Sequence, residues 1–187
     1  DTIAKMTSLM ERIPEAGMAG CLIRNLDGSE QAGCRRAVPT PYRTSVRTLG
    51  LDRLFPKNPR FQSFVLADTP LPDRPVDMEA LSGAFMFVRR TALEDVGPLD
   101  EDYFMHCEDL DWCMRFRERG WGIVFDPTHG VTHAQGACSI GRPFHVLWYK
   151  HAGMVRFYRK FFRRHHSSGL TYSVIAAVWV RFAIICL

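Results

Sequence analysis

The chain has 187 residues, 47% of them hydrophobic and 24% charged, with a net charge of +4. These values describe a globular domain with a real core and exclude a disordered or low-complexity polypeptide. Six cysteines (Cys21, Cys34, Cys107, Cys113, Cys138 and Cys186) show no CxxC pair, which argues against a disulfide framework and for reduced, core-filling thiols in a cytosolic setting.

Residue 1 is an aspartate, and no signal peptide is visible. Thr2 to Ile13 reads as a helix with Ile3, Met6, Leu9 and Met10 on one face, capped by Asp1 or Thr2. Pro14 ends it. Met18 to Leu26 is a short buried strand, and Asn25 to Ser29 is a turn with Gly28 at the tight position. Ala32 to Pro75 is rich in Pro and Arg without sustained periodicity, so it reads as a long surface excursion with one short helix at Leu49–Phe55. Arg35 and Arg36 read as a solvated basic surface, with phosphate contact as the alternative.

Asp77 to Arg90 returns to the core. Ser82, Gly83 and Ala84 put very small side chains where a ligand or the next strand must come close, and Phe85 to Val88 reads as strand core. Thr91 to Val96 is a short helix with Thr91 as its cap, ended by Gly97-Pro98. Leu99 to His106 is an acidic and aromatic loop in which Tyr103, Phe104 and Met105 read as packing residues. From Glu108 to Arg119, Leu110, Cys113, Met114 and Phe116 recur at helical spacing, acids crowd the start and Arg115, Arg117 and Arg119 crowd the end. Asp111 and Arg115, four apart, suit a pair on the exposed face. Gly122 to Phe125 is a short apolar strand, Trp121 a core residue at the corner before it, and a loop with His129 and His133 follows.

Glu108 and Asp109 stand out as adjacent carboxylates at the positive end of a helix. A carboxylate fixed there can accept a proton from a hydroxyl. Taken alone, the pair is better explained by capping and dipole complementation.

The frame around the pair decides the matter. Ser82 to Met86, Arg89-Arg90, Val96-Gly97, Leu99-Asp100-Glu101, Phe104-Met105, Glu108 to Asp111, Arg115, Gly120-Trp121, Pro127, His133, Gly136 and Ser139 resemble, in order and spacing, the C-terminal half of a family 2 glycosyltransferase domain. The resemblance is to the rhamnosyltransferase-like branch and covers about residues 1 to 160. It implies an α/β, GT-A-type (Rossmann-like) fold, of which residues 1–145 would be the C-terminal part, without the nucleotide-binding half. It also implies inverting transfer of a sugar, rhamnose by the branch, from a nucleotide-sugar donor to a glycan or lipid-linked acceptor. Asp109 would be the base with Glu108 supporting it, Gly83, Ala84, Asp111 and Arg115 would bind substrate, and Asp1 and His133 would hold Mg²⁺ or Mn²⁺. His106 stands where an aromatic residue is common in the family. Another sugar, or an inactive scaffold of the same fold, are the alternatives.

Residues 146–187 change character. Trp148 to His166 is basic and aromatic at helical spacing, and Leu170 to Leu187 is apolar except for Arg181. A basic helix could bind nucleic acid, but followed by an apolar run it reads as a membrane signal instead. The expectation is association with the cytoplasmic face of a membrane, peripheral or single-span, and no nucleic acid.

Overall fold

The computed structural model describes residues 1–134, 136 and 143–187. Cys138, Ser139 and Arg142 fall outside them. The chain divides into two compact units, residues 1–98 with 112–135 and residues 99–111 with 136–187.

The first unit is built around β1 (Ala16–Arg24), which runs parallel to β6 (Gly122–Thr132) and antiparallel to β5 (Phe87–Val88). β3 (Val76–Asp77) closes the other edge, giving the order β3-β6-β1-β5. All of β1 except Arg24 is buried, as a strand covered on both faces requires. On one face α1 (Thr2–Arg12) lays Met6, Leu9 and Met10 on Ala16, Ala19, Cys21 and Val124. On the other, Gly17 and Gly20 leave room for Phe116 and Leu81, where a Cβ would come within 2.9 Å of each. Arg89 ties α1 to β1 by donating to the carbonyls of Met10 and Ile13 at the end of α1 and of Ala16 at the start of β1.

The span from Ala32 to Pro75 is more ordered than its composition implies. It carries β2 (Arg35–Arg36), paired with β4 (Ala80–Leu81), and the helices α2 (Pro41–Thr48) and α3 (Leu51–Leu54). Thr40 caps α2 through the Arg43 N–H, and Pro41 opens it. Arg35 is not solvated surface: it is buried and bidentate to Glu30. Two further elements differ from expectation. Phe85 and Met86 lie with Ser82 to Ala84 in the turn between β4 and β5, not in the strand, and only Phe87 and Val88 pair. The helix α4 (Arg90–Val96) begins one residue early, with Arg89 as an N-cap whose side chain makes no capping bond.

The second unit comprises the loop 99–107, the first turn of α5 (Glu108–Glu118), and the helices α6 (Pro143–Phe161) and α7 (Ser168–Cys186). Val155, Phe157 and Tyr158 of α6 are buried with Tyr103, Cys107 and Leu110. Trp148 packs against Trp179 and Phe182 across the two helices. α7 is long and apolar enough to cross a membrane, and only 6% of its apolar window is buried.

Cys21, Cys34, Cys107 and Cys113 are buried and Cys186 is exposed. Burial pushes the Cys21 and Cys34 thiols up to about 11.

Candidate active site

Within the first unit, Asp1 and His133 come to the same end of the sheet, the carboxyl end of the parallel pair β1–β6. Asp1 caps α1, its Oδ1 accepting from the Ile3 N–H at 3.0 Å. Thr2 Oγ1 reaches the Gly130 carbonyl at 3.4 Å, and the His133 N–H donates to the Arg24 carbonyl at 3.0 Å. This is the side of an α/β sheet where ligands bind.

The chain reaches that end through a distortion in β6. Cys21 pairs with Asp126 but Leu22 pairs with Gly130, so residues 127–129 bulge outward. Gly130 is required there because a Cβ would lie 2.5 Å from the Leu22 carbonyl. Such a bulge re-aims the residues that follow it. Asp126, which sequence reasoning passed over, is buried and organises the bulge by accepting from the Thr128 N–H at 2.9 Å. Burial opposes ionisation of Asp126, but hydrogen bonds from Thr128 and His129 outweigh it and hold the carboxyl below its usual value.

The His133 ring is fixed by a residue 102 positions away. The Gln31 amide nitrogen donates to Asn25 Oδ1 and to the His133 carbonyl, so Gln31 Oε1 is the acceptor for His133 Nδ1–H at 3.0 Å. The tautomer then carries its lone pair on Nε2, the arrangement of a histidine prepared for a cation. Among the described residues no three His, Cys, Asp or Glu side chains gather as a complete metal set. Asp1 and His133 therefore fit only a cation that completes its shell with substrate oxygens and water, as Mg²⁺ commonly does.

Gly83 and Ala84 are exposed in the β4–β5 turn, where the Ala84 N–H donates to Ser82 Oγ at 3.2 Å. Arg115 serves the framework. It donates to the Val96 carbonyl at 3.1 Å and the Pro98 carbonyl at 2.7 Å, covering the C-terminal end of α4.

In the second unit, Glu108 and Asp109 open α5, both half-buried, with Asp109 Oδ1 accepting from the Leu110 N–H at 2.8 Å. The helix starts from a strained elbow: His106 and Cys107 both have positive φ, 65° and 71°, which non-glycine residues rarely adopt. Gly153 of α6 lies against this elbow, where a Cβ would sit 2.7 Å from the His106 carbonyl. A glycine inside a helix is costly unless something needs the space. Here the elbow needs it.

Asp111 corrects the surface-pair reading. It is fully buried, not on an exposed face; Oδ2 accepts from the Tyr103 hydroxyl at 3.1 Å and lies 2.7 Å from Lys160 Nζ. Burial, and then the Asp111 charge, raise the Tyr103 hydroxyl well above its ordinary value, so it remains a donor. Asp100 is bound by Lys160 at 2.7 Å and Arg156 at 3.0 Å. Its burial favours the neutral acid, but those two cations prevail and hold the carboxyl well below the usual range. The turn bearing Asp109 is thus anchored from below by Asp111 and preceded by a loop pinned at Asp100.

No protein-family model matches the chain. It is 36% identical over 141 residues to N-acetylglucosaminyl-diphospho-decaprenol L-rhamnosyltransferase of Mycobacterium tuberculosis, in both strain CDC 1551 / Oshkosh and strain ATCC 25618 / H37Rv. That alignment covers 75% of this chain and 44% of the relative. It is 32% identical over 91 residues to rhamnosyltransferase WbbL of Escherichia coli strain K12, covering 49% of this chain and 29% of that one. The chain spans less than half the length of these curated relatives. Its homologues are rhamnosyltransferases, as the central motif implies, and its mixed α/β sheet is consistent with part of a GT-A, Rossmann-like fold.

Proposed function

We propose that this chain is the acceptor-side part of an inverting rhamnosyltransferase that acts on a lipid-linked glycan in cell-wall polysaccharide synthesis. The single observation that carries the reading is the fixed start of α5. A carboxylate pair is held at a helix N-terminus by a strained elbow, a buried glycine contact and a buried Asp111–Tyr103 bond. The relatives' names add the donor sugar and the class of acceptor.

In this mechanism Asp109 accepts the proton of the acceptor hydroxyl as that oxygen attacks the anomeric carbon from the face opposite the leaving group. The new C–O bond forms as the bond to the nucleoside diphosphate breaks, which inverts the anomeric centre. Glu108 supports the charge of the same helix turn. Asp111 is a positioning residue, since its buried carboxylate holds the turn and not the sugar. The family resemblance assigns Gly83 and Ala84, exposed in their turn, to substrate binding as well. A divalent ion on Asp1 and His133 would supply charge neutralisation to the departing diphosphate.

The tail supplies a bilayer contact. α6 is basic toward its C-terminal end, with Arg159 and Lys160, and α7 offers an exposed apolar surface. One apolar helix with a basic flank makes the two signals that stable membrane attachment needs, and the basic flank favours the cytoplasmic leaflet.

The test is a chimera in which this chain replaces the matching part of the mycobacterial relative. It is expected to transfer rhamnose to a lipid-linked N-acetylglucosaminyl diphosphate, and to lose that transfer with Asp109→Asn. A chimera that folds and binds donor but transfers nothing would contradict the proposal.

A further inference from the structure

An open groove of about 510 Å³ runs along the second unit, lined by Ala152, Val155, Arg156, Arg159 and Lys160 of α6 and by Trp179 of α7. Its cations are not equivalent. Lys160 is engaged by Asp100 and Asp111, each at 2.7 Å, and Arg156 Nη2 by Asp100 at 3.0 Å and by Asp102 at 2.5 Å. Arg159 pairs with no carboxylate among the described residues. The Arg156 Nε is buried with no acceptor among those residues. A buried N–H without an acceptor costs on the order of 1–3 kcal/mol. The groove therefore carries one uncompensated charge and one unsatisfied donor, on residues three apart and so on one helix face.

The rest of its lining is apolar. Ala152, Val155 and Trp179 supply it, and Trp179 belongs to the largely exposed apolar helix α7. A site that combines guanidinium donors with an aromatic and aliphatic lining suits an anionic amphiphile, because guanidinium N–H groups match phosphate oxygens. Two donor groups one helical turn apart match a diphosphate better than a single phosphodiester.

We propose that this groove binds the diphosphate end of a prenyl-diphosphate-linked acceptor, with Arg159 and Arg156 Nε donating to its oxygens and the first prenyl units lying along Trp179. The proposal rests on the lipid-linked acceptor read above. It gives the apolar tail a second role, in which the hairpin selects the lipid as well as holding the bilayer.

The probe is geranylgeranyl diphosphate, titrated into the 187-residue chain in neutral phosphatidylcholine nanodiscs and followed by tryptophan fluorescence, with Trp179→Phe assigning the signal. Saturable binding is expected, weakened about tenfold or more by Arg159→Gln, as loss of a charged hydrogen bond implies. Arg156→Lys, which keeps the charge but lacks Nε, is also expected to weaken it. Uncharged geranylgeraniol and inorganic diphosphate should bind far less tightly, and phosphatidylglycerol should not compete. Unchanged affinity in Arg159→Gln with native helicity would overturn the proposal. So would equal binding of inorganic diphosphate, which marks a free-phosphate site, or competition by phosphatidylglycerol, which marks a general anionic surface. The experiment reads no turnover. An inactive chimera with binding intact would sink the transferase reading and leave the groove; an active chimera whose acceptor KM ignores Arg159→Gln would do the reverse.

Discussion

Tyr103 donates its hydroxyl to Asp111 Oδ2 at 3.1 Å, joining the acidic loop to the first turn of α5 beneath Asp109. Both side chains are buried, so neither group has solvent to fall back on. Tyr103→Phe removes one partner of a buried carboxylate. A loss of about 1–2 kcal/mol in stability is expected by denaturant unfolding. In the chimera, rhamnose transfer should fall while donor binding is kept. Unchanged stability would show that Lys160 alone suffices for Asp111.

Gly153→Ala drives a methyl group toward the His106 carbonyl, backbone that cannot rotate away. The variant gains helix propensity in α6, about 1 kcal/mol in its favour. A net loss of stability is nevertheless expected, because the elbow at His106 and Cys107 must shift. A variant more stable than the parent, with transfer intact, would remove the elbow from the account.

Acid should loosen the second unit through Asp100. Its folded carboxyl titrates below the unfolded value, so the stabilisation is present above about pH 4 and is lost as pH falls from there toward the folded value. Asp100→Asn should cost about 1 kcal/mol at neutral pH, discounted because Arg156 and Lys160 are partly exposed. The gap between wild type and Asp100→Asn should narrow as pH drops below 4. A gap independent of pH would mean that the ion pairs contribute nothing.

The elements nearest the proposed base were legible because their local signals agree. α1 shows a cap and a clean apolar face, β1 a buried run, and α5 acids at its start, arginines at its end and Gly120 beyond. The helix α2 was hidden by the Pro and Arg content around it, although Thr40 and Pro41 are an ordinary helix start. Phe85 and Met86 read as strand because the apolar run continues unbroken to Val88, and no local signal marks where pairing begins. Asp111 was misjudged for a different reason. Helical spacing marks a charged residue as outward-facing, and its partners Tyr103 and Lys160 lie 8 residues before it and in a separate helix. The Gln31 contact that sets the His133 tautomer spans 102 positions and leaves no trace in either neighbourhood.

The most direct test of the central claim separates proton transfer from binding. In the chimera, Asp109→Asn should lower kcat for rhamnose transfer by about a hundredfold to ten-thousandfold, the usual contribution of a general base, with the donor Kd essentially unchanged. Glu108→Gln should cost much less. Near-normal turnover in Asp109→Asn, or a loss that tracks weakened donor binding, would contradict the assignment of Asp109 as the base.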